Sequence, residues 1–351
     1  MDIPVSLLGL ACAVPPHRIA QSEATRMARA IFAPTISRFP QLIDVFSNSG
    51  IEERYSVAPL DWFDRDHDWP ERTGVYLDGA GALFVKTARA ALAQARLSAC
   101  DVDIVVTISS TGIATPSLDA RVANELGFRS DISRIPVFGL GCAGGVSGLS
   151  IGARLSRSEP GAVVLVIAVE LCTLAFRRDR TTKADVISSA LFGDGAAAAV
   201  LQAGKQSSAL ALIGEGNEHT WPKTLDVMGW SVDPIGFGVV LSRSLPKFVE
   251  QRLAGPVKCF LQKLETRERP RFICHPGGMK VLRAIEKALG VDAAVFSIER
   301  NVLRRFGNMS APTVLFVLDQ TLGAGFSGDA ILAALGPGFT ASFLSLEICH
   351  G

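Results

Sequence analysis

The segment Val137 to Gly148, VFGLGCAGGVSG, carries the sharpest chemical signal in the chain. A short apolar run enters a glycine cluster, Cys142 follows, and small apolar residues continue as a helix expected to be buried on every side. This puts Cys142 at a helix N-terminus, where free amides and the dipole favour thiolate over thiol. The bias matters because an unperturbed thiol is only about 3% ionised at neutral pH. The glycines let a substrate carbonyl approach the sulfur and the backbone amides. His275 ends a second short strand and precedes Pro276-Gly277-Gly278, a rigid turn with room beside it, which suits a donor or general base. Asn308 lies in Gly307-Asn308-Met309-Ser310, between a charged helix and an apolar one. Gaps of 133 and 33 residues separate the three, so they can meet only through the fold, the usual arrangement around a Cys nucleophile. Taken singly, each has a bland alternative: a small packed Cys, a turn His, a capping Asn. A rival motif overlaps the first: Gly139-Leu140-Gly141-Cys142-Ala143-Gly144 fits G-x-G-x-x-G, and Glu170 ends the next strand where a ribose-binding acid would stand. That fingerprint normally opens its domain, whereas three elements precede this one.

The elements that must position these residues alternate between strand and helix. Strands are expected at Val102–Ser110, Ile135–Phe138, Ala162–Val169 and Gly195–Leu201, with Leu210–Gly214 pairing beside the last. Helices are expected at Val85–Leu97, Leu118–Leu126 and Gly145–Leu155. The second half follows a similar order: helix Lys247–Leu264, strand Arg271–Cys274, helix Met279–Leu289, the apolar run Ser310–Leu318, and strands Ile331–Leu335 and Ala341–Leu346. The pattern argues α/β layers with a largely parallel, buried sheet, and an internal duplication with a seam near 205–220. Arg65–Arg72, charged and accompanied by Trp62 and Trp69, reads as an irregular surface insert.

Composition narrows the classes. The chain has 351 residues, 48% of them hydrophobic, and a net charge of +1, so it offers neither the basic footprint of a nucleic-acid binder nor the polarity of a disordered chain. Seven Cys lack paired spacing and there is no C-x-x-C, so neither a metal site nor a disulfide framework is expected; the thiols read as reduced, in a cytoplasmic protein. The opening MDIPVSLLGLACAVPP has a signal-like Ala11-Cys12-Ala13, but Asp2 and the shortness of its apolar run make it an N-terminal strand. The most apolar run, Ala162–Val169, is far shorter than the ~20 residues of a membrane span.

Five motifs in order resemble the type III polyketide synthases, the chalcone synthase-like family. They are GCAGG at Cys142, Leu191-Phe192-Gly193-Asp194-Gly195 before an alanine run, His275-Pro276-Gly277-Gly278, Gly307-Asn308-Met309-Ser310, and Gly336-Pro337-Gly338-Phe339. A weaker echo stands at Ser49–Arg54. The resemblance implies a duplicated thiolase-like fold, layered α-β-α-β-α, with a half carrying the nucleophile over 1–205 and a half carrying His and Asn over 206–351. It implies a homodimer that takes acyl-CoA and malonyl-CoA as substrates and needs no metal or redox cofactor. Cys142 would carry the acyl group, while His275 and Asn308 would hold the developing oxyanions. Phe192 would stand where the CoA tunnel meets the cavity, with Gly277 and Gly338 placed at the substrate by their motifs. Positions that are bulkier or more polar in plant members fall on Cys172, Ala175 and Val239. Where plant members hold CoA phosphates with basic residues, this chain has Gln41, Asp44 and Asn48, which leaves Arg54 as a candidate contact. The stretches Leu225–Trp230 and Val240–Pro246 are similar to bacterial members that make alkylpyrones or alkylresorcinols from fatty acyl starters. The alternative is a single-condensation enzyme of the ketoacyl synthase III kind.

Overall fold

Uncharged runs of β-branched and small residues make the strands, and apolar residues at three- and four-residue spacing make the helices. The computed structural model describes residues 3–264 and 270–349; Met1 and Asp2, used above against a signal peptide, lie outside them. The strands are β1 (Val5–Ala13), β2 (His17–Ala20), β3 (Glu53–Ser56), β4 (Ile104–Ile108), β5 (Ser133–Val137), β6 (Val163–Leu171), β7 (Asp194–Ala203), β8 (Ala211–Thr220), β9 (Met228–Asp233), β10 (Gly236–Leu241), β11 (Arg271–Cys274), β12 (Gly328–Gly336) and β13 (Thr340–Ile348). The helices are α1 (Gln21–Ile31), α2 (Ala33–Arg38), α3 (Asp44–Asn48), α4 (Trp69–Gln94), α5 (Leu118–Leu126), α6 (Gly144–Ser158), α7 (Lys183–Leu191), α8 (Leu245–Arg252), α9 (Ala254–Leu264), α10 (Met279–Leu289), α11 (Ser297–Phe306) and α12 (Pro312–Gly323).

Nine strands form one sheet in the order β11-β12-β13-β8-β1-β7-β6-β4-β5. Only β11/β12, β6/β4 and β4/β5 are parallel, so the expectation of a largely parallel sheet is corrected to a mixed one. Continuous apolar runs report burial on both faces, which antiparallel strands between two helix layers satisfy equally well. The segment 210–214 does not pair beside β7 either: β1 lies between β7 and β8, pairing with both.

The sheet order contains its own repeat. β1 is antiparallel to β7, β7 to β6, and β6 is parallel to β4. β8 is antiparallel to β13, β13 to β12, and β12 is parallel to β11. The connecting helices match as well, α6 leading into β6 and α12 into β12. Val146, Leu149 and Ala153 of α6 and Val314–Leu318 of α12 share one core with strand residues of both halves. Outer layers close the other faces: α4 and α5 on the first half, α8 to α10 on the second. Outer helices, first-half strands, the helix pair, second-half strands and outer helices are therefore the layers, the strands of both halves belonging to the one sheet.

Local differences from the sequence reading have physical causes. α4 begins at Trp69, long before Val85, because Asp68 accepts a hydrogen bond from the Glu71 amide (2.8 Å) and Pro70 sits in the first turn. The 65–72 stretch is thus no loose insert: Arg72 is buried and donates to Leu174 O (2.6 Å) and Phe176 O (2.8 Å), and Trp62 stacks on His67. The expected helix 247–264 is two, α8 and α9. β9 and β10, a hairpin around Asp233-Pro234-Ile235-Gly236, went unread despite that turn chemistry.

Candidate active site

Cys142 sits in a single tight turn, Gly141–Ala143, between β5 and α6. Ser110 Oγ anchors the approach, accepting from the amides of Gly139 (3.1 Å) and Gly141 (3.2 Å). Gly141 has φ +49°, and a Cβ there would fall 2.6 Å from Pro337 Cδ. Four residues on, a Cβ at Gly145 would stand 2.3 Å from the Ala311 carbonyl oxygen, so α6 and the start of α12 touch at backbone distance. That contact brings the N-terminal ends of the two central helices together. The Cys142 thiol points across the junction, with Sγ 3.9 Å from Asn308 Oδ1.

Asn308 is fixed from every side. Its backbone pairs with the turn after α7, donating to Leu191 O (2.8 Å) and accepting from the Gly193 amide (3.0 Å). Its Oδ1 accepts from the Ser310 amide (2.8 Å) and its Nδ2 donates to Gly277 O (3.2 Å), leaving the second Nδ2 hydrogen for a ligand. His275 follows β11, its amide bonded to Ala333 O (2.8 Å). Its ring is buried, and neither Nδ1 nor Nε2 has a partner among the described residues. An imidazole held this way has one acceptor and one donor free for whatever enters.

Burial pushes the Cys142 thiol up to about 11, against the lowering effect of bonds to Ser310 and Asn308. Burial likewise pushes the His275 imidazole down to about 3. Each shift opposes a lone charge in a dry site. Moving the thiol proton to the imidazole instead makes two opposite charges at once, and that paired state has the amides at the start of α6 beside it. Burial thus works against the thiolate preference expected from helix position, and a proton acceptor would supply the bias.

Cys142, His275 and Asn308 line one cavity of about 490 Å³ with Phe192, Cys172, Val239 and Gly277. Three expectations fail. Ala175 lines a separate small cavity of about 50 Å³, which shares Cys172 and Phe192 with the large one. Gly338 is a turn residue (φ +69°) whose carbonyl accepts from Thr224 Oγ1 (3.0 Å); its neighbour Pro337 reaches the cavity. Arg54 is buried and its two terminal nitrogens donate to the carbonyls of Ser189, Ala190 and Phe192 and to Gln21 Oε1, so it clamps the C-terminal end of α7 and is shut off from a CoA phosphate. Burial lowers it to about 10.

The dinucleotide reading also fails. Glu170 is enclosed, accepting from the Ser110 amide (3.0 Å) and Thr111 Oγ1 (2.8 Å), and burial raises it to about 8. It braces the loop under Cys142 and cannot reach a ribose. Sequence reasoning missed Trp230, whose Nε1 donates to Ser110 O (2.8 Å) and whose ring meets that of Phe192 at 6.3 Å. It also missed Ser310, whose amide holds Asn308 Oδ1 and which lines the same cavity. A Ser two residues after a key Asn carries little signal; the unread β9–β10 hairpin would have carried Trp230. Among the described residues no cluster of three metal-ligating side chains occurs, and no helix is long and apolar enough to cross a membrane.

Comparison with known proteins agrees with this geometry. Residues 71–205 match the family described as chalcone and stilbene synthases, N-terminal domain, and residues 215–346 match the corresponding C-terminal domain. The chain is 34% identical to 1,3,6,8-tetrahydroxynaphthalene synthase of Streptomyces peucetius, covering 99% of this chain and 94% of that protein. It is 29% identical to the alpha-pyrone synthesis polyketide synthase-like Pks18 of Mycobacterium tuberculosis, over 97% and 90%. The crystal structure of 1,3,6,8-tetrahydroxynaphthalene synthase from Streptomyces coelicolor, a bacterial type III polyketide synthase, superposes with a TM-score of 0.91 at 28% identity, over 99% of both chains. Over almost its whole length, then, this chain belongs to the chalcone and stilbene synthase family, the type III polyketide synthases.

Proposed function

We propose that Cys142 takes an acyl group from a CoA thioester and that His275 and Asn308 drive its extension by malonyl-CoA. In loading, the imidazole accepts the Sγ proton as Sγ bonds to the thioester carbonyl. The carbon–sulfur bond to CoA then breaks, and the proton goes to the departing thiolate. In extension, the malonyl carboxylate leaves as CO2, and its electron pair becomes an enolate whose oxygen lies between the His275 N–H and the free Asn308 Nδ2 hydrogen. The enolate carbon attacks the Cys142 thioester and expels Sγ, which gives a β-ketoacyl-CoA that can be reloaded. Negative charge gathers on oxygen at each step, and each fixed donor contributes about 3–4 kcal/mol to holding it. The observation that carries this reading is the convergence of an acceptor-capable imidazole, a carboxamide with one hydrogen free, and a thiol on one cavity.

The starter we infer is a medium or long fatty acyl chain, and the product an alkylpyrone or alkylresorcinol. Apolar side chains such as Ile187, Leu191, Met228 and Val239 line the cavity, and each methylene buried among them contributes about 0.8 kcal/mol. The test is kcat/KM across acyl-CoA starters of increasing length, with product masses. A preference for acetyl-CoA or an aromatic starter removes the fatty acyl assignment; a single condensation per starter favours the ketoacyl synthase-like alternative. We also infer a homodimer: Ile113 (51% exposed) and Phe138 (56%) stand just beyond β4 and β5 at the sheet's edge. Light scattering on the purified protein tests that assembly.

A further inference from the structure

Glu299 is fully enclosed and takes no part in the chemistry above. Its Oε1 accepts from the Cys274 amide (3.1 Å), and its Oε2, also buried, has no partner among the described residues. Burial raises the group to about 7, against the lowering effect of its own amide, the Cys274 amide and the charges of Arg271 and Arg300. A carboxyl group kept in so dry a place is costly, and the bond to Cys274 is the one its side chain makes among the described residues.

The topology of the sheet gives that bond its place. β11 is an edge strand. Its inner side pairs with β12, the His275 amide donating to Ala333 O (2.8 Å). Successive amides along a strand alternate sides, so the Cys274 amide points outward, away from β12. β4, the equivalent strand of the first half, has β5 on its outer side, where the Ser109 amide donates to Val137 O (3.2 Å). No strand stands outside β11 among the described residues, and the Glu299 carboxyl group, sent across from α11, takes the outward amide instead.

The two elements joined in this way deliver the two donors. β11 passes from Cys274 straight into His275. α11 carries Glu299 in its first turn and ends at Phe306, from which Gly307 (φ +68°) leads to Asn308. Glu299 thus lies about 10 Å of helix back from the end that faces the cavity. At the near end Asn308 Nδ2 donates to Gly277 O (3.2 Å). The two bonds close a frame, with β11 and its turn on one side, α11 on the other, and a tie at each end. Without the far tie, α11 can slide along β11 or tilt from it, and the gap between the imidazole and the free Asn308 Nδ2 hydrogen changes with it.

We propose that Glu299 is a positioning residue for the oxyanion site: by holding the outward amide of Cys274 it fixes α11 against β11, and so fixes Asn308 against His275. This rests on the polyketide synthase reading above, in which both donors hold the enolate oxygen.

The test is a double-mutant cycle read on malonyl-CoA decarboxylation, in the wild-type and Asn308→Ala backgrounds. Glu299→Gln keeps an oxygen acceptor at the same reach and should retain kcat within about twofold. Glu299→Met keeps the size and loses the acceptor; it should lower kcat about tenfold while KM for malonyl-CoA changes by less than about twofold. In Asn308→Ala the same Met substitution should cost less than about threefold, because one of the two donors whose spacing it sets is already gone. If Glu299→Met does not fold, Glu299→Asp carries the test: it keeps the charge, shortens the reach by one methylene, and should lose kcat several-fold in the wild-type background alone. Undiminished kcat in the variant that folds, a loss of equal size in both backgrounds, or a Gln variant as slow as the Met one overturns the proposal. A wild-type protein that decarboxylates no malonyl-CoA overturns the enzyme reading on which it stands.

Discussion

Replacing His275 by Gln removes the proton acceptor while keeping a side chain of similar size in the cavity. Burial, helped by the Glu170 charge, holds the Cys142 thiol at about 11. At pH 7 that leaves roughly one molecule in ten thousand as thiolate. If His275 does no more than return the thiol to the ordinary value near 8.5, the wild-type thiolate fraction is about 300-fold higher. The sign follows directly: thiolate, and with it alkylation, rises with pH. In His275→Gln the rate should climb about tenfold per unit from pH 6 to 9 without a plateau, while the wild-type curve flattens at lower pH. The assay is iodoacetamide labelling with mass-spectrometric counting of the Cys142 peptide. The exposed Cys100 and Cys259 report reagent and pH in the same tube, and the buried Cys172 and Cys274, held up by desolvation, should label last. Profiles that coincide in rate and slope would show that His275 does not take the Cys142 proton.

Asn308→Ala should lose roughly 3 kcal/mol of barrier stabilisation, about two decades in kcat, for malonyl decarboxylation and condensation alike; decarboxylation at the normal rate would remove Asn308 from the site. Cys172→Phe should shorten the preferred starter or cut the number of extensions, because Cys172 faces both cavities, whereas Ala175→Phe should fill only the small cavity and move starter preference less. Gly145→Val should destabilise by about 3 kcal/mol, roughly 5 °C in Tm, since its Cβ meets the Ala311 carbonyl oxygen with no side chain to yield. Stability should fall as pH rises from about 4.5 to about 8, because buried Glu170 holds its proton in the folded chain over that window and gives it up when unfolded; Glu170→Gln should flatten the slope of Tm against pH.

Legibility in the sequence followed the locality of the cause. The runs at β4, β6 and β7 declare themselves because each is buried on both faces and needs no partner to be apolar. The same all-round burial hid their direction, so the sheet seemed parallel. Cys142 and His275 could be picked out because glycines and prolines mark the turns that hold them. The misreadings lie where long-range contacts decide. Arg54 reads as a free cation until the carbonyls at the end of α7 close around it. Glu170 reads as a ribose ligand until the 110–111 loop takes its oxygen. Ala175 is one turn from Cys172 in sequence, yet Cys172 divides the two cavities and Ala175 stands behind it.

The repeat explains why the chemistry is split between distant segments. Cys142 precedes α6, and Asn308 precedes α12, its counterpart in the second half. Ser109 and Ser110 follow β4, and His275 follows β11, again the counterpart. A pairing that sets α6 against α12 at backbone distance therefore brings four equivalent loops to one junction, two from each half. The halves have used these positions differently. In the first, the helix start carries the thiol, while Ser110 braces it through the Gly139 and Gly141 amides. In the second, the helix start carries the carboxamide and the post-strand loop carries an imidazole with no partner among the described residues. The bridge between Phe192 and Asn308 then ties the first half's last loop to the second half's donor. A thiol on one half and its donors on the other keep their geometry only while α6 and α12 stay in contact. The glycine at 145 is thus as much a condition of the chemistry as the residues that touch the substrate.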